Sequence, residues 1–450
     1  MKVGRAAVAV LAGIVLAVTA APVGALEPPQ VVVGSPPLDD PPGPEAPTKQ
    51  NSGCLSAGVL RDSDLARTPP SELALELRRV RSLSTGTGVT VAVIDTGVQP
   101  NPRLPNLVGG GDYVVAGGDG LADCDAHGTL IAGIIGATSA PTDGFMGVAP
   151  DARILSVRLR SAAFTEEHPV TTDAAHRLSV ELRTLARAIT HAANQGADVI
   201  TVPLPICVPA DMRLDQSILS AAIGYAVRTR GALIVAGAGG TASGCTQNPE
   251  IDPTRPADSR NWRDVKTIST PGWFAPDVLT VGFTTATGAP MPDSLTGPWV
   301  SVAGPGTGIE SLGPGVDGLI NGVGSDKLSP VGGASFAAAY VSGVAALLRS
   351  RYPTETPGEI AARLQVSAHA PARGIDNVVG AGMIDPMAAL SFRSAPKRPA
   401  GLFGTSPLDI PAPPRAKDKR PSITATIVIL AAVLLGVGAS YTNSALRRRR

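Results

Sequence analysis

Between residues 85 and 393 apolar runs of strand length alternate with runs of helical spacing. The run Val89–Ile94 reads Val-Thr-Val-Ala-Val-Ile and has almost no polar position. Such a strand has no face to give to water, so it belongs in a parallel sheet covered on both sides. Ala152–Leu159, Asp198–Leu204, Ala232–Ala236 and Val278–Val281 read as further strands. Helical spacing is found at Ser71–Ser82, Thr129–Ala137, Asp173–Gln195, Leu214–Arg230, Ser335–Arg351 and Thr356–Val366. This order predicts one α/β domain with a largely parallel sheet.

The two ends of the chain have a different character. Lys2 and Arg5 precede an apolar run from Ala6 to Val18, with small residues up to Ala25, the plan of a secretory signal peptide over 1–25. Near the other end, Ile423 to Tyr441 is uncharged, and Arg447 to Arg450 close the chain. Nineteen helical residues rise roughly 28 Å, enough for a transmembrane helix over 422–443. A lipid-anchor signal fits poorly, because such tails end apolar. With the signal peptide leading export, the expected topology is a single pass through the cell membrane. The main domain is then extracytoplasmic, and 444–450 is a basic cytoplasmic tail.

The formal net charge of +1 conceals this division, since residues 27–396 carry 26 basic and 35 acidic residues, a net of −9. An acidic exported domain is not a nucleic-acid binder. Residues 27–47 hold eight prolines, and 395–421 hold seven. The first group lies in an N-terminal extension, 26–84, with its first helix; the second marks a semi-rigid tether, 394–421. Four cysteines (Cys54, Cys124, Cys207 and Cys245) favour two disulfides in an oxidising compartment, with three pairings open. No CxxC pair supports zinc.

Three strings bear chemistry. Asp95-Thr96-Gly97 follows the buried strand directly, at the strand end where α/β domains build their sites. An aspartic protease would need a second such carboxylate, and no second Asp-Thr-Gly exists. Of five histidines (His127, His168, His176, His191 and His369), only His127 stands beside a glycine at a helix start. Ser335, in Gly332-Gly333-Ala334-Ser335, opens a helix, where free N–H groups and the helix dipole favour negative charge. A serine there can also be a simple cap. The set, in the order Asp, His, Ser, points to nucleophilic acyl transfer. Ser335 would attack, His127 take its proton, and Asp95 orient the imidazole.

Val91–Val98 (Val-Ala-Val-Ile-Asp-Thr-Gly-Val), 127–135 (His-Gly-Thr-Leu-Ile-Ala-Gly-Ile-Ile) and 332–339 (Gly-Gly-Ala-Ser-Phe-Ala-Ala-Ala) resemble the three subtilisin signatures. The resemblance covers roughly 85–390 and implies a subtilisin-like three-layer peptidase domain over 85–393. With the signal peptide, proline-rich extension, tether and C-terminal helix added, the whole chain resembles the mycosins, the membrane-anchored serine proteases of type VII secretion. That resemblance implies a peptide or protein substrate and secretion membrane-complex subunits as partners. It also implies the pairing Cys54–Cys124 and Cys207–Cys245. Cys54 would then keep the extension packed on the domain.

Two departures bear on mechanism. The resemblance places an oxyanion-hole Asn where this chain has Gly240, leaving the backbone N–H of Ser335 as donor. The substrate strand maps onto Val202-Pro203-Leu204-Pro205, and Pro205 has no N–H to offer a substrate carbonyl. The milder changes are Ala334 and Ala339. These changes leave two expectations: an endopeptidase attenuated by Gly240, or a protease-like structural subunit of the secretion complex. No cofactor is expected, because the Gly237–Ala242 glycine string is followed by a loop, not by the helix a dinucleotide site needs. No dense carboxylate loop suggests a metal. The stretch 161–173, with Glu166 and Glu167, reads as a solvated insertion.

Overall fold

The computed structural model of the chain describes residues 26, 29–31, 34–169, 173–255, 258–399 and 420–447. The expected signal peptide, most of the tether and the last three arginines lie outside them. The chain divides into two compact units, Met1–Ile410 and Pro411–Arg450.

A seven-stranded, wholly parallel sheet forms the first unit's centre. Its strands are β1 (Thr90–Asp95), β2 (Leu107–Asp112), β3 (Arg153–Arg158), β4 (Val199–Val202), β5 (Leu233–Gly237), β6 (Val278–Thr284) and β7 (Val300–Pro305). Their spatial order is β7-β6-β5-β4-β1-β3-β2. Every residue of β1 is buried, so both sheet faces are covered, as its apolar sequence requires. Helices α1 (His127–Gly136) and α4 (Ala334–Arg351) pack together on one layer. Helices α2 (Ala174–Asn194) and α3 (Ser217–Gly224) form the other. Helix α5 (Pro357–Ser367) begins with a capping box between Thr356 and Glu359.

Several sequence expectations change in detail. The helix expected over Ser71–Ser82 breaks into Pro70–Ala74 and Leu77–Arg81, with Glu76 left-handed. Leu75, Leu77 and Val80 are all core residues. A continuous helix would turn 75 and 77 to opposite sides, so the break buries both. The expected helix Leu214–Arg230 is α-helical only to Gly224 and then runs as a π-turn over Tyr225–Thr229. Edge strand β2, with three glycines in sequence, carries too weak an apolar pattern to be read as a strand. The stretch 161–173 is not a free insertion, because Phe164–Glu166 pairs antiparallel with Thr48–Gln50.

That pairing belongs to a wrap of the extension over the domain. Asp39 accepts from His191 and Asn194, and Glu45 pairs with Arg183, all on α2. Further along, Ser56–Gly58 adds to Gly322–Gly324. Ser71 and Tyr340 share a buried hydrogen bond at 2.5 Å.

The second unit holds helix α6, Arg420–Arg447. Among the described residues no helix is long and apolar enough to cross a membrane. The side chains described in α6 are those of 425–440 only, all exposed. The spanning helix expected over 422–443 is thus not found among the described residues.

Candidate active site

The chain leaves β1 with β3 on one side and β4 on the other, and the crevice at such a reversal is where α/β sheets bind ligands. Asp95 is the last residue of β1 and is 1% exposed. His127 opens α1, directly after Ala126, whose left-handed φ of 64° turns the chain into the helix. Ser335 lies in the first turn of α4, after Gly333, whose φ of 134° suits glycine.

These three residues, 32 and 208 positions apart in sequence, form one relay. His127 Nδ1 lies 2.8 and 2.9 Å from the two Asp95 carboxylate oxygens. His127 Nε2 lies 2.9 Å from Ser335 Oγ. The Phe336 ring packs against the imidazole with centroids 5.2 Å apart. Burial opposes a charge on His127, but the Asp95 carboxylate, with Asp123 and Asp125 behind it, outweighs that and raises the imidazole's pKa above its ordinary value. A hydroxyl held against a histidine whose other nitrogen faces a buried carboxylate can lose its proton as it attacks a carbonyl.

Ser335 opens onto a cleft of about 760 Å³. Pro203, Leu204 and Pro205 line one wall and Gly239 and Gly240 another. Val202, fully buried in β4, is not part of that lining. The disulfide Cys207–Cys245 borders the cleft. Its partner bridge Cys54–Cys124 ties the extension three residues before His127. Gly240 is extended at φ −157°, and a Cβ there would meet only the Asp293 carbonyl, at 3.0 Å. The position thus has room for a side chain and offers no donor beyond its backbone. The Ser335 N–H is among the first four of α4, which have no acceptor within the helix.

Sequence reasoning missed Asp123. Its carboxylate, 6% exposed, accepts from Thr96 Oγ1 at 2.9 Å, Thr129 Oγ1 at 2.7 Å, and the N–H groups of Thr129 at 2.9 Å and Asp125 at 3.1 Å. No local signal marked it, since in sequence it is one acid of an Asp-Cys-Asp string.

A parallel α/β sheet carrying this relay in the order Asp, His, Ser is the arrangement of a subtilisin-like serine protease. The subtilase family profile matches residues 86–382. Mycosin-1 of Mycolicibacterium smegmatis is 43% identical over 99% of this chain and 100% of its own length. The crystal structure of MycP1 from Mycobacterium smegmatis superposes with a TM-score of 0.79 at 43% identity, over 86% of this chain and all of that one. A chain of an intact ESX-5 inner membrane complex does so at 0.80 and 44% identity, over 93% of this chain and all of that one. The chain belongs to the mycosins, a branch of the subtilases.

Proposed function

We propose that this chain is a membrane-anchored serine endopeptidase of type VII secretion, with Asp95, His127 and Ser335 as its catalytic residues. The observation that carries this reading is the continuous hydrogen-bonded relay from Asp95 through His127 to Ser335. Ser335 attacks the peptide carbonyl, His127 takes the proton and returns it to the leaving amine, and Asp95 holds the ring and its charge. The oxyanion rests on backbone N–H groups, that of Ser335 first. Substrate lies along Pro203, Leu204 and Pro205, and Pro205 gives one strand-type hydrogen bond fewer. Gly240 lowers turnover, since losing one side-chain oxyanion donor costs about 10²–10³.

The uncharged stretch from Ile423 to Leu446, closed by Arg447–Arg450, supports a C-terminal anchor with the peptidase outside the cytoplasm. The likeness to a chain of the ESX-5 inner membrane complex supports a place in such an assembly. Gly240 and Pro205 favour a second reading, a scaffold subunit with little hydrolysis. Purified wild type should cleave a quenched-fluorescent peptide library above a Ser335→Ala blank. No difference would contradict the enzyme reading. In cells, Ser335→Ala should leave the secretion complex assembled while deletion of the chain should not.

A further inference from the structure

Asp123 is the most heavily bonded carboxylate near the relay, and the mechanism above does not use it. It lies four residues before His127, in the connection that brings the chain from β2 to α1. One oxygen, Oδ1, accepts from the hydroxyl of Thr96, the residue following Asp95. The same Thr96 hydroxyl oxygen accepts the N–H of Gly128, the residue following His127, at 2.9 Å. The other oxygen, Oδ2, takes both the N–H and the hydroxyl of Thr129, two residues beyond His127. Thr96 in turn gives its N–H to Asp95 Oδ1 at 2.6 Å. A single buried side chain therefore joins the end of β1 to the start of α1, the two elements whose spacing sets the Asp95–His127 contact.

Resting on the reading of Asp95, His127 and Ser335 as the catalytic triad, we propose that Asp123 is a positioning residue for the Asp95–His127 pair. It acts through Thr96 and through the first turn of α1. The requirement is for a carboxylate, because four donors converge on it. An amide could accept from Thr96 and Asp125 but would turn an N–H₂ toward the Thr129 N–H.

The same residue contributes charge. The titratable groups that face His127 are Asp95 on β1 and Asp123 and Asp125 before α1; each favours the protonated imidazole. Burial pushes Asp123 up to about 6, opposed by its bonds to Thr129 and Thr96 and helped by Asp95. Above that pH it is ionised. Activity needs neutral His127 and so rises with pH through the imidazole's titration. Removing the Asp123 charge lowers the pH at which His127 loses its proton, and the acid limb of the rate profile moves to lower pH.

The test compares Asp123→Asn and Thr96→Val with wild type on three readouts. These are the His127 side-chain titration by NMR, assigned with His127→Gln, the pH profile of kcat, and KM. The NMR readout does not need turnover, so it stands even if the enzyme reading fails. Asp123→Asn should shift His127 titration to lower pH and cut kcat by roughly 10- to 100-fold with KM held. Thr96→Val keeps the Asp123 charge but cuts the bridge, so kcat should fall with a smaller shift in His127 titration than Asp123→Asn gives. If Asp123→Asn fails to fold, Thr96→Val still decides the positioning claim. An unchanged His127 titration with Asp123→Asn, or an unchanged kcat with Thr96→Val, would overturn the proposal and leave Asp123 a structural strut.

Discussion

Gly240 and Glu310 show how single residues depart from the local chemistry around them. At Gly240 the extended backbone accepts any side chain, and the only tight neighbour of a new Cβ is one carbonyl. Gly240→Asn should therefore restore a donor and raise kcat by about 10²-fold, measured on the same peptide substrate. Glu310, 8% exposed, is pushed up to about 7 by burial first and by Asp143 and Asp64 second. A carboxyl whose folded pKa lies above its unfolded value favours the folded state only while protonated. Its contribution is thus lost as pH rises from the usual carboxylate range to about 7. Glu310→Gln should raise Tm at pH 8 and change it little at pH 5, in thermal melts of the two forms.

The relay residues Asp95, His127 and Ser335 were legible in the sequence because each sits at an element boundary within two residues of a glycine, a local pattern. Asp123 and Glu310 were not, because their roles depend on partners that only folding brings near. Asp123 meets Thr96 from 27 positions away, and Glu310 feels Asp143 and Asp64.

At the scale of elements, the buried strands were readable because an all-apolar strand admits one environment. Edge strand β2 was hidden by its glycines, and those glycines have contacts that explain them. A Cβ on Gly109 would strike the Asp119 carbonyl at 2.6 Å, and one on Gly111 would strike Pro42 at 2.4 Å. Gly111 thus lets the proline-rich extension lie on the sheet edge. The break at Glu76 follows from burying both Leu75 and Leu77, a tertiary demand that helical spacing does not reveal. The extension is a structural element of the domain, tied by two strand additions and by Cys54–Cys124. That bridge closes a loop with a sequence separation of 70. Replacing both cysteines by serine should cost about 4 kcal/mol by the chain-entropy account. Urea unfolding of the two forms checks this. It should also make 48–58 the first region cut by an added protease.

At the scale of the molecule, the charge sum near zero averages an acidic domain and two basic, apolar ends. The fold positions three boundary residues within hydrogen-bond reach at the C-terminal edge of a parallel sheet, and the extension braces the elements that carry them. The central claim is that Ser335 is a nucleophile activated by His127. Its most direct test is to treat the full-length chain in membranes with a fluorophosphonate probe and map the adduct by mass spectrometry. The account predicts one adduct, on Ser335. It should form faster as pH rises through the His127 titration, and His127→Ala and Ser335→Ala should abolish it. No adduct on Ser335, or one that forms equally fast without His127, would contradict it.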